Sequence, residues 1–248
     1  MRHGESAGNV ARDAAEAAGL PTIDLDARDV DVPLSPLGEQ QARALGRWFA
    51  QKPEAERPTV VLVSPYVRAK QTAELVIESG HVAEASRSLA HVIDERLREK
   101  EFGSFNRLTR AGILAKFPDQ AELYTKIGKL YYRPPGGESW CDVILRLRSV
   151  IDHMKLEYRG ERVLVVAHQV IVLCFRYVLE QMDEAQLLAI ARAKDVANCG
   201  VTFYELEADA GGNARAGMSL RLYNFVTPLE EAGAPVTKEP DEPPVRPR

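Results

Sequence analysis

The sequence predicts an α/β fold with a mostly parallel central sheet, helices on both of its faces and a helical lid insertion. Short apolar runs alternate with helical patterns along the chain, which is typical of this fold class. The runs are apolar almost throughout, as expected of parallel strands that are covered on both sides. At 248 residues, the chain is long enough to bury a core of its own.

The strands are predicted from runs that are rich in β-branched residues or alternate in polarity. They lie at 59–63, 162–167, 201–206 and 218–225. Helices are predicted between them from local start signals. Ser35 and Ser64 each precede a proline, a pairing of N-cap and first-turn residue. Ser139 and Asp142 have the spacing of a capping box. The predicted helices cover 36–52, 65–78, 140–158 and 169–182.

Two segments differ from this alternation. Residues 104–137 are helical in pattern, with scattered Lys and Arg, and we expect them to form a lid insertion over one end of the sheet. Residues 228–248 are rich in Pro, Glu and Lys and predict a disordered tail. The folded domain is therefore predicted to span residues 1–227.

Composition excludes several classes of protein. A net charge of −4 argues against a generally cationic nucleic-acid binder. No apolar run approaches the ~18 residues of a membrane span, and the N-terminus has no signal-peptide pattern. The three cysteines lack CxxC spacing, which favours neither a disulfide framework nor a zinc cluster. We expect a cytoplasmic protein.

The candidate functional residues lie next to predicted strand ends. His168 follows a strand, and Arg68 lies in the first turn of a helix that follows another, where helix N-termini favour anions. Arg2 and His3 precede Gly4, which permits close approach of a ligand to the backbone. Each feature alone is compatible with a structural role. Together they indicate an anion site at the carboxyl edge of the sheet.

Four signals in this order resemble the histidine phosphatase (phosphoglycerate mutase-like) superfamily over residues 1–206. They are Arg-His-Gly-Glu-Ser at 2–6, Ser-Pro-x-x-Arg-Ala-x-Gln-Thr-Ala at 64–73, Arg-Leu-x-Glu-x-x-x-Gly at 96–103 and Ala-His at 167–168. The resemblance implies a phosphoglycerate mutase-like fold with a strand directly before Arg2, and Met1 alone precedes Arg2 here.

The resemblance also implies a role for each site residue and no metal or other cofactor. His3 would be the nucleophile, Glu99 the proton donor and Asn9 a further donor to the phosphate. The phosphate pocket would be formed by Arg2, Arg68 and His168. This agrees with the chemistry, because a neutral imidazole can attack phosphorus while cations stabilise the charge on the equatorial oxygens.

Within the superfamily, residues 105–180 resemble fructose-2,6-bisphosphatase domains most. Arg133 and Gln169 fall where that branch contacts its sugar phosphate, and we expect the turn at 134–137 to point Arg133 over the phosphate pocket. Gly136 and Leu173 stand where the branch has cations. A smaller or less charged phosphate ester is therefore the expected substrate.

The predicted function is hydrolysis of a small phosphorylated metabolite through a phosphohistidine. Alternatives are a phosphoglycerate mutase, a phosphate-ester binding protein without turnover, and a metal site at His3, His168 and Glu99. The neighbouring arginines would repel a metal cation. Neither nucleic acid nor membrane is an expected partner, and a homodimer is one option for the assembly.

Overall fold

A computed structural model describes residues 1–80, 90–208 and 214–239. A parallel three-stranded sheet with the order β2-β1-β3 lies at its centre. The register pairs Val63 of β1 with Ile93 of β2 and with Val166 of β3, so all three strands end at one edge. A second sheet is an antiparallel pair of β4 and β5. The strands are β1 (Val60–Val63), β2 (Ala90–Ile93), β3 (Val163–Val166), β4 (Val201–Ala208) and β5 (Ala214–Phe225).

Helices cover both faces of the parallel sheet. Because side chains alternate along a strand, Val61 and Val63 pack on one face against α2 and α3, while Val60 and Leu62 pack on the other against α6 and α7. This confirms the predicted α/β class. The helices are α1 (Ala7–Ala17), α2 (Pro36–Ala50), α3 (Val67–Gly80), α4 (Arg110–Lys116), α5 (Pro118–Ile127), α6 (Trp140–Glu157), α7 (Gln169–Leu179), α8 (Glu184–Ala193) and α9 (Thr227–Glu231).

The first three residues connect the two sheets. The Ala167 amide donates to the Met1 carbonyl at 3.0 Å, and the His3 amide donates to the Ala167 carbonyl at 2.9 Å. On the other side, the amide of Cys199 donates to the His3 carbonyl at 3.2 Å. The segment therefore lies parallel to the end of β3 and next to the start of β4, where His3 reaches the carboxyl edge.

The insertion at 104–137 contains α4 and α5 and has a small core of its own. Phe105, Ile113 and Tyr132 are buried in that core. A bridge between Thr22 and Leu108 joins the insertion to the loop that follows α1. The helical content matches the expectation for this segment, while its action as a lid stays a prediction.

The predicted disorder of 228–248 is wrong for residues 228–239. The short helix α9 follows β5, and its Leu229 is fully buried in the main core, together with Ala234 beyond the helix. Both side chains belong to the core cluster that also contains Leu45 of α2 and Val61 of β1. Residues 240–248 lie outside the described part of the chain.

Candidate active site

The carboxyl edge of the parallel sheet brings the predicted site residues together. His3 lies beside the end of β3. His168 occupies the N-cap position of α7 just after that strand, and Arg68 lies in the first turn of α3 after β1. Glu99 follows β2 by way of a 3₁₀ turn at Glu95–Leu97. Chain positions far apart in sequence therefore meet at one place because parallel strands all end there.

His3 is held as a neutral imidazole, and its Nε2 has no hydrogen bond to any residue that the structure describes. Its side chain is buried, and Nδ1 lies 2.6 Å from the Gly4 carbonyl oxygen, so Nδ1 carries the proton and donates it. Burial lowers the pKa of His3 well below its ordinary value, and the charges of Arg68 and Arg2 lower it further. The Nε2 lone pair is then available at neutral pH.

Gly4 permits this arrangement through its lack of a side chain. A Cβ at this position would lie 2.5 Å from the Gly38 carbonyl oxygen at the start of α2. Any other residue would push the loop at 3–6, here called the catalytic loop because it carries the predicted nucleophile His3, away from that helix. The glycine is required by close packing of the loop, in addition to the approach of a ligand expected from the sequence.

His168 lies against the His3 ring, fully buried, with the ring centroids 5.1 Å apart in an edge-to-face arrangement. Its Nε2 is 2.7 Å from the Ser64 hydroxyl oxygen, and its Nδ1 lies 3.6 Å from a carboxyl oxygen of Glu99 without a hydrogen bond to any described residue. Burial and the charge of Arg68 lower the pKa of His168, so this ring is neutral as well.

Glu99 is the one site carboxyl whose pKa is raised to about 7. Burial raises this pKa, and the cation of Arg68 is the largest opposing influence. Only 13% of the side chain is exposed, and one carboxyl oxygen accepts the Lys100 amide at 2.8 Å. A carboxyl that titrates near neutral pH can both donate and accept a proton during one reaction cycle.

Two buried arginines supply the positive charge. Arg68 donates to the carbonyl and carboxylate of Asp29, at 2.6 and 3.0 Å, and both residues line the cavity. Arg2 donates to the Gln169 side-chain oxygen at 3.0 Å and to the Val196 carbonyl at 2.6 Å. Both arginines line the cavity that contains His3. Gln169 also lines this cavity, but its amide oxygen is already used to hold Arg2.

Asn9 lies in the cavity wall at the third position of α1. Its side-chain oxygen accepts from the Ser6 amide at 2.9 Å and from the Ser6 hydroxyl at 2.8 Å, which completes a capping box for α1. The oxygen is thus committed to the helix start. The NH₂ group is the part of Asn9 that can donate to a ligand.

Arg133 does not point over the site, and this prediction is wrong. Its guanidinium donates to the Asp142 carboxylate, with Nε at 2.8 Å, and 61% of its side chain is exposed. The cavity lining does not include it. The turn after Arg133 does precede α6, but the acidic residue in the first turn of that helix holds the cation on the outer surface.

Among the charged residues that line the cavity, three were not predicted from the sequence: Arg12, Asp29 and Arg107. Arg12 follows Asn9 by three positions on α1, so both lie on the same side of that helix. Prediction of α1 would have revealed this pairing. Arg107 is held by the carbonyls of Asp26 and Ala27 and has a left-handed backbone, with φ of 60°. No sequence signal marks that contact.

The cavity as a whole is suited to an anion with an organic group attached. Arg2, Arg12, Arg68 and Arg107 outnumber the carboxyl groups of Asp29 and Glu99 in its wall, and Phe102, Ile23 and Leu25 add apolar surface. Burial lowers the pKa of Arg12, with the nearby arginines adding to the effect. Within the described residues, no three His, Cys, Asp or Glu side chains are grouped as ligands for a metal ion.

Of the helices in the described part of the chain, none combines the length and the apolar character needed to cross a membrane.

Comparison with known proteins gives consistent results. The sequence model of the histidine phosphatase superfamily (branch 1) matches residues 1–216. A 6-phosphofructo-2-kinase/fructose-2,6-bisphosphatase of Caenorhabditis elegans is 37% identical over 145 residues, which are 58% of this chain. The chain spans 28% of the length of that protein.

Two further comparisons cover a larger share of both proteins. A 2,3-bisphosphoglycerate-dependent phosphoglycerate mutase 2 of Gloeobacter violaceus is 29% identical, over 72% of this chain and 77% of that protein. A solved structure described as mycobacterial hydrolase 1 superposes with a TM-score of 0.68 at 25% identity, over 91% of this chain and 96% of that one.

Proposed function

The chain belongs to branch 1 of the histidine phosphatase superfamily, and we propose that it hydrolyses a small phosphate monoester through a phosphohistidine on His3. Phosphoryl transfer through histidine is the mechanism of that family. The observation that carries the proposal is the neutral His3, with a free Nε2, beside two arginines and a carboxyl whose pKa is about 7.

The first step forms the phosphoenzyme. His3 Nε2 attacks phosphorus, and the bond from phosphorus to the leaving oxygen breaks. Protonated Glu99 gives its proton to that oxygen, which departs as an alcohol. Arg2 and Arg68 stabilise the negative charge that spreads over the equatorial oxygens in the transition state, and His168 can donate to the same group from Nδ1 when Ser64 donates to its Nε2.

The second step returns the enzyme to its starting state. Glu99, now a carboxylate, takes a proton from a water molecule that attacks phosphorus. The phosphorus–nitrogen bond breaks, inorganic phosphate leaves, and His3 regains its lone pair. Because one group performs both proton transfers, its pKa of about 7 suits both steps at neutral pH.

The substrate we propose is a small phosphorylated metabolite whose leaving group meets Arg12 and Arg107. Leu173, at the position where the bisphosphatase branch has a cation, is fully buried in the core between α6 and α7. An uncharged leucine at this position cannot bind a second phosphate. Both arginines line the same cavity as His3: Arg12 lies on α1, and Arg107 donates to the carbonyls of Asp26 and Ala27.

Replacement of His3 tests this proposal. His3→Ala should abolish hydrolysis of p-nitrophenyl phosphate, and acid-labile phosphate should be trapped on the wild-type chain alone. His91→Ala, which changes an exposed histidine on β2, is the matched control and should keep full activity. Turnover by His3→Ala at the wild-type rate would disprove the mechanism.

A phosphoglycerate mutase is the second candidate, favoured by the similarity to the Gloeobacter violaceus mutase over 77% of its length. The two activities share the phosphohistidine and differ in whether water or a second substrate receives the phosphoryl group. Incubation with 3-phosphoglycerate and a trace of 2,3-bisphosphoglycerate separates them. Formation of 2-phosphoglycerate faster than release of phosphate would favour the mutase.

We also propose a cytoplasmic location, which the free thiols of Cys141, Cys174 and Cys199 support. Fractionation of cells of the source organism tests it. The homodimer stays a prediction from the sequence, and light scattering of the purified chain is the direct measurement.

A further inference from the structure

We propose that Glu239 is a positioning residue for the phosphate site and that it acts through Arg2. It is delivered by residues 234–239, here called the C-terminal strap. The inference rests on the proposed function, because it treats Arg2 as a phosphate ligand. Nothing in the local sequence around Glu239 indicates this, since the segment has the composition of a disordered tail.

Two buried polar side chains fasten the C-terminal strap directly to the catalytic loop. Gln41 donates to the Pro235 carbonyl and to the Thr237 hydroxyl, both at 2.9 Å, and its oxygen accepts the Glu5 amide at 2.9 Å. One side chain on α2 thus joins the strap to the loop that carries His3. Gln41 is fully buried, so its hydrogen bonds are formed in a region that water does not reach.

Asn198 makes the same kind of bridge from the opposite side. Its backbone amide donates to the Thr237 carbonyl at 3.0 Å, and its side-chain oxygen accepts the Thr237 hydroxyl at 3.0 Å. Its NH₂ group donates to the His3 carbonyl at 3.1 Å. The strap is therefore held by residues that also hold the backbone of the nucleophile.

Glu239, the last residue of the strap, forms an ion pair with the guanidinium of Arg2. A carboxylate oxygen of Glu239 accepts from Nη2 of Arg2 at 2.6 Å, and the two side chains are 2% and 5% exposed. Nη1 of Arg2 is held by Gln169 and Val196, while Nε is buried without a hydrogen bond to any described residue. These three contacts fix the guanidinium plane, and the N–H of Nε and the second N–H of Nη2 are the donors that remain for a ligand.

Glu239 supports Arg2 from outside the cavity. Glu239 is not among the residues that line the cavity, whereas Arg2, Arg68 and His3 are. The carboxylate thus does not occupy the place of the phosphate. It also compensates a buried cation that would otherwise be strongly unfavourable. A preorganised donor next to the nucleophile is the condition under which such a charge accelerates phosphoryl transfer.

Glu239→Gln keeps the shape of the side chain and removes its charge. We expect kcat/KM for p-nitrophenyl phosphate to fall between about tenfold and a hundredfold, since small misplacement of a catalytic group has effects of that size. The inhibition constant of inorganic phosphate should rise in parallel. Lys238→Gln, at the exposed neighbouring position, is the matched control and should change neither value by more than about twofold.

A double-mutant cycle distinguishes positioning from a general effect on stability. In an Arg2→Ala background, Glu239→Gln should have no further effect on kcat/KM or on phosphate inhibition, because the group it acts through is gone. Thr237→Val loosens the strap without touching Arg2. It should give a smaller loss of kcat/KM in the wild-type background and no loss with Arg2→Ala. The inference can therefore still be tested if Glu239→Gln folds poorly.

Three results would overturn the inference: an equal loss in both backgrounds, no loss in either, or a gain of activity, which would identify the strap as an inhibitor. The proposed function is judged separately on the wild-type chain. If that chain binds inorganic phosphate but hydrolyses no ester, the phosphatase proposal fails. The strap is then judged on the affinity for phosphate of the same variants.

Discussion

Replacement of Glu99 by Gln should lower activity and raise stability at the same time. A proton donor, the role proposed for Glu99, matters most when the leaving group is a poor one. For an alkyl phosphate such as glycerol phosphate, we expect kcat/KM of Glu99→Gln to fall between about a hundredfold and ten-thousandfold. For p-nitrophenyl phosphate the loss should be much smaller, because nitrophenolate departs with little need of a proton.

The gain in stability follows from the raised pKa. The Glu99 pKa lies near 7 in the folded chain against 4.5 for an ordinary Glu. Between those values the folded state holds a proton that the unfolded state has lost, so the free energy of unfolding falls as pH rises. At 1.36 kcal/mol per unit, the cost reaches ~3 kcal/mol above pH 7. Glu99→Gln removes it, so the variant should exceed wild type in stability at pH 8 and differ little below pH 4.5.

Two measurements check this reasoning. Urea unfolding at pH 5 and pH 8 gives the stability difference, and kcat/KM against pH gives the activity, whose decline above pH 7 should disappear in the variant. Glu95→Gln, an exposed neighbour, is the control. Equal losses of kcat/KM on both substrates, or a stability difference that does not grow with pH, would refute the role of Glu99 as a buried general acid.

Three further predictions concern the rest of the site. Arg12→Ala should raise KM for a natural phosphate ester by about tenfold, equivalent to ~1.4 kcal/mol, and leave p-nitrophenyl phosphate nearly unchanged; equal effects would place Arg12 at the phosphate. Arg133→Ala should change KM by less than about twofold and leave the urea midpoint of unfolding nearly unchanged, since it loses one exposed ion pair; steady-state kinetics and urea unfolding check both. Activity should survive treatment with EDTA, because the arginines supply the positive charge that phosphoryl transfer needs; restoration by a divalent ion after loss would show otherwise.

The site residues of the strand ends could be predicted because their signals are local. His168 follows an apolar run, and Arg68 follows another by way of a Ser-Pro helix start. A few consecutive residues are enough to indicate a strand end or a helix start, and the convergence of parallel strands at one edge is a general rule. Strand β2 and helices α1, α8 and α9 were not predicted. Strand β2 has only four residues, and α1 begins directly after the motif at 2–6, which was interpreted for its chemistry alone.

Contacts between distant segments were decided by the tertiary structure alone. Arg133 and Asp142 form an ion pair on the surface, and the sequence contains no preference between that partner and a ligand. Glu239 reaches Arg2 across 237 positions of the chain. Besides the buried Leu229 and Ala234, the tail is held by hydrogen bonds from Gln41 and Asn198, which lie far from it in the sequence.

The sequence by itself therefore determined most of the elements around the sheet and the candidate residues at their ends, because periodicity, caps and strand-end residues act over a few positions. The tertiary structure decided which charges are compensated, how far the pKa of Glu99 is raised and which charged residues line the cavity. Those properties depend on burial and on partners brought together by packing, and neither can be inferred from the order of residues along one segment.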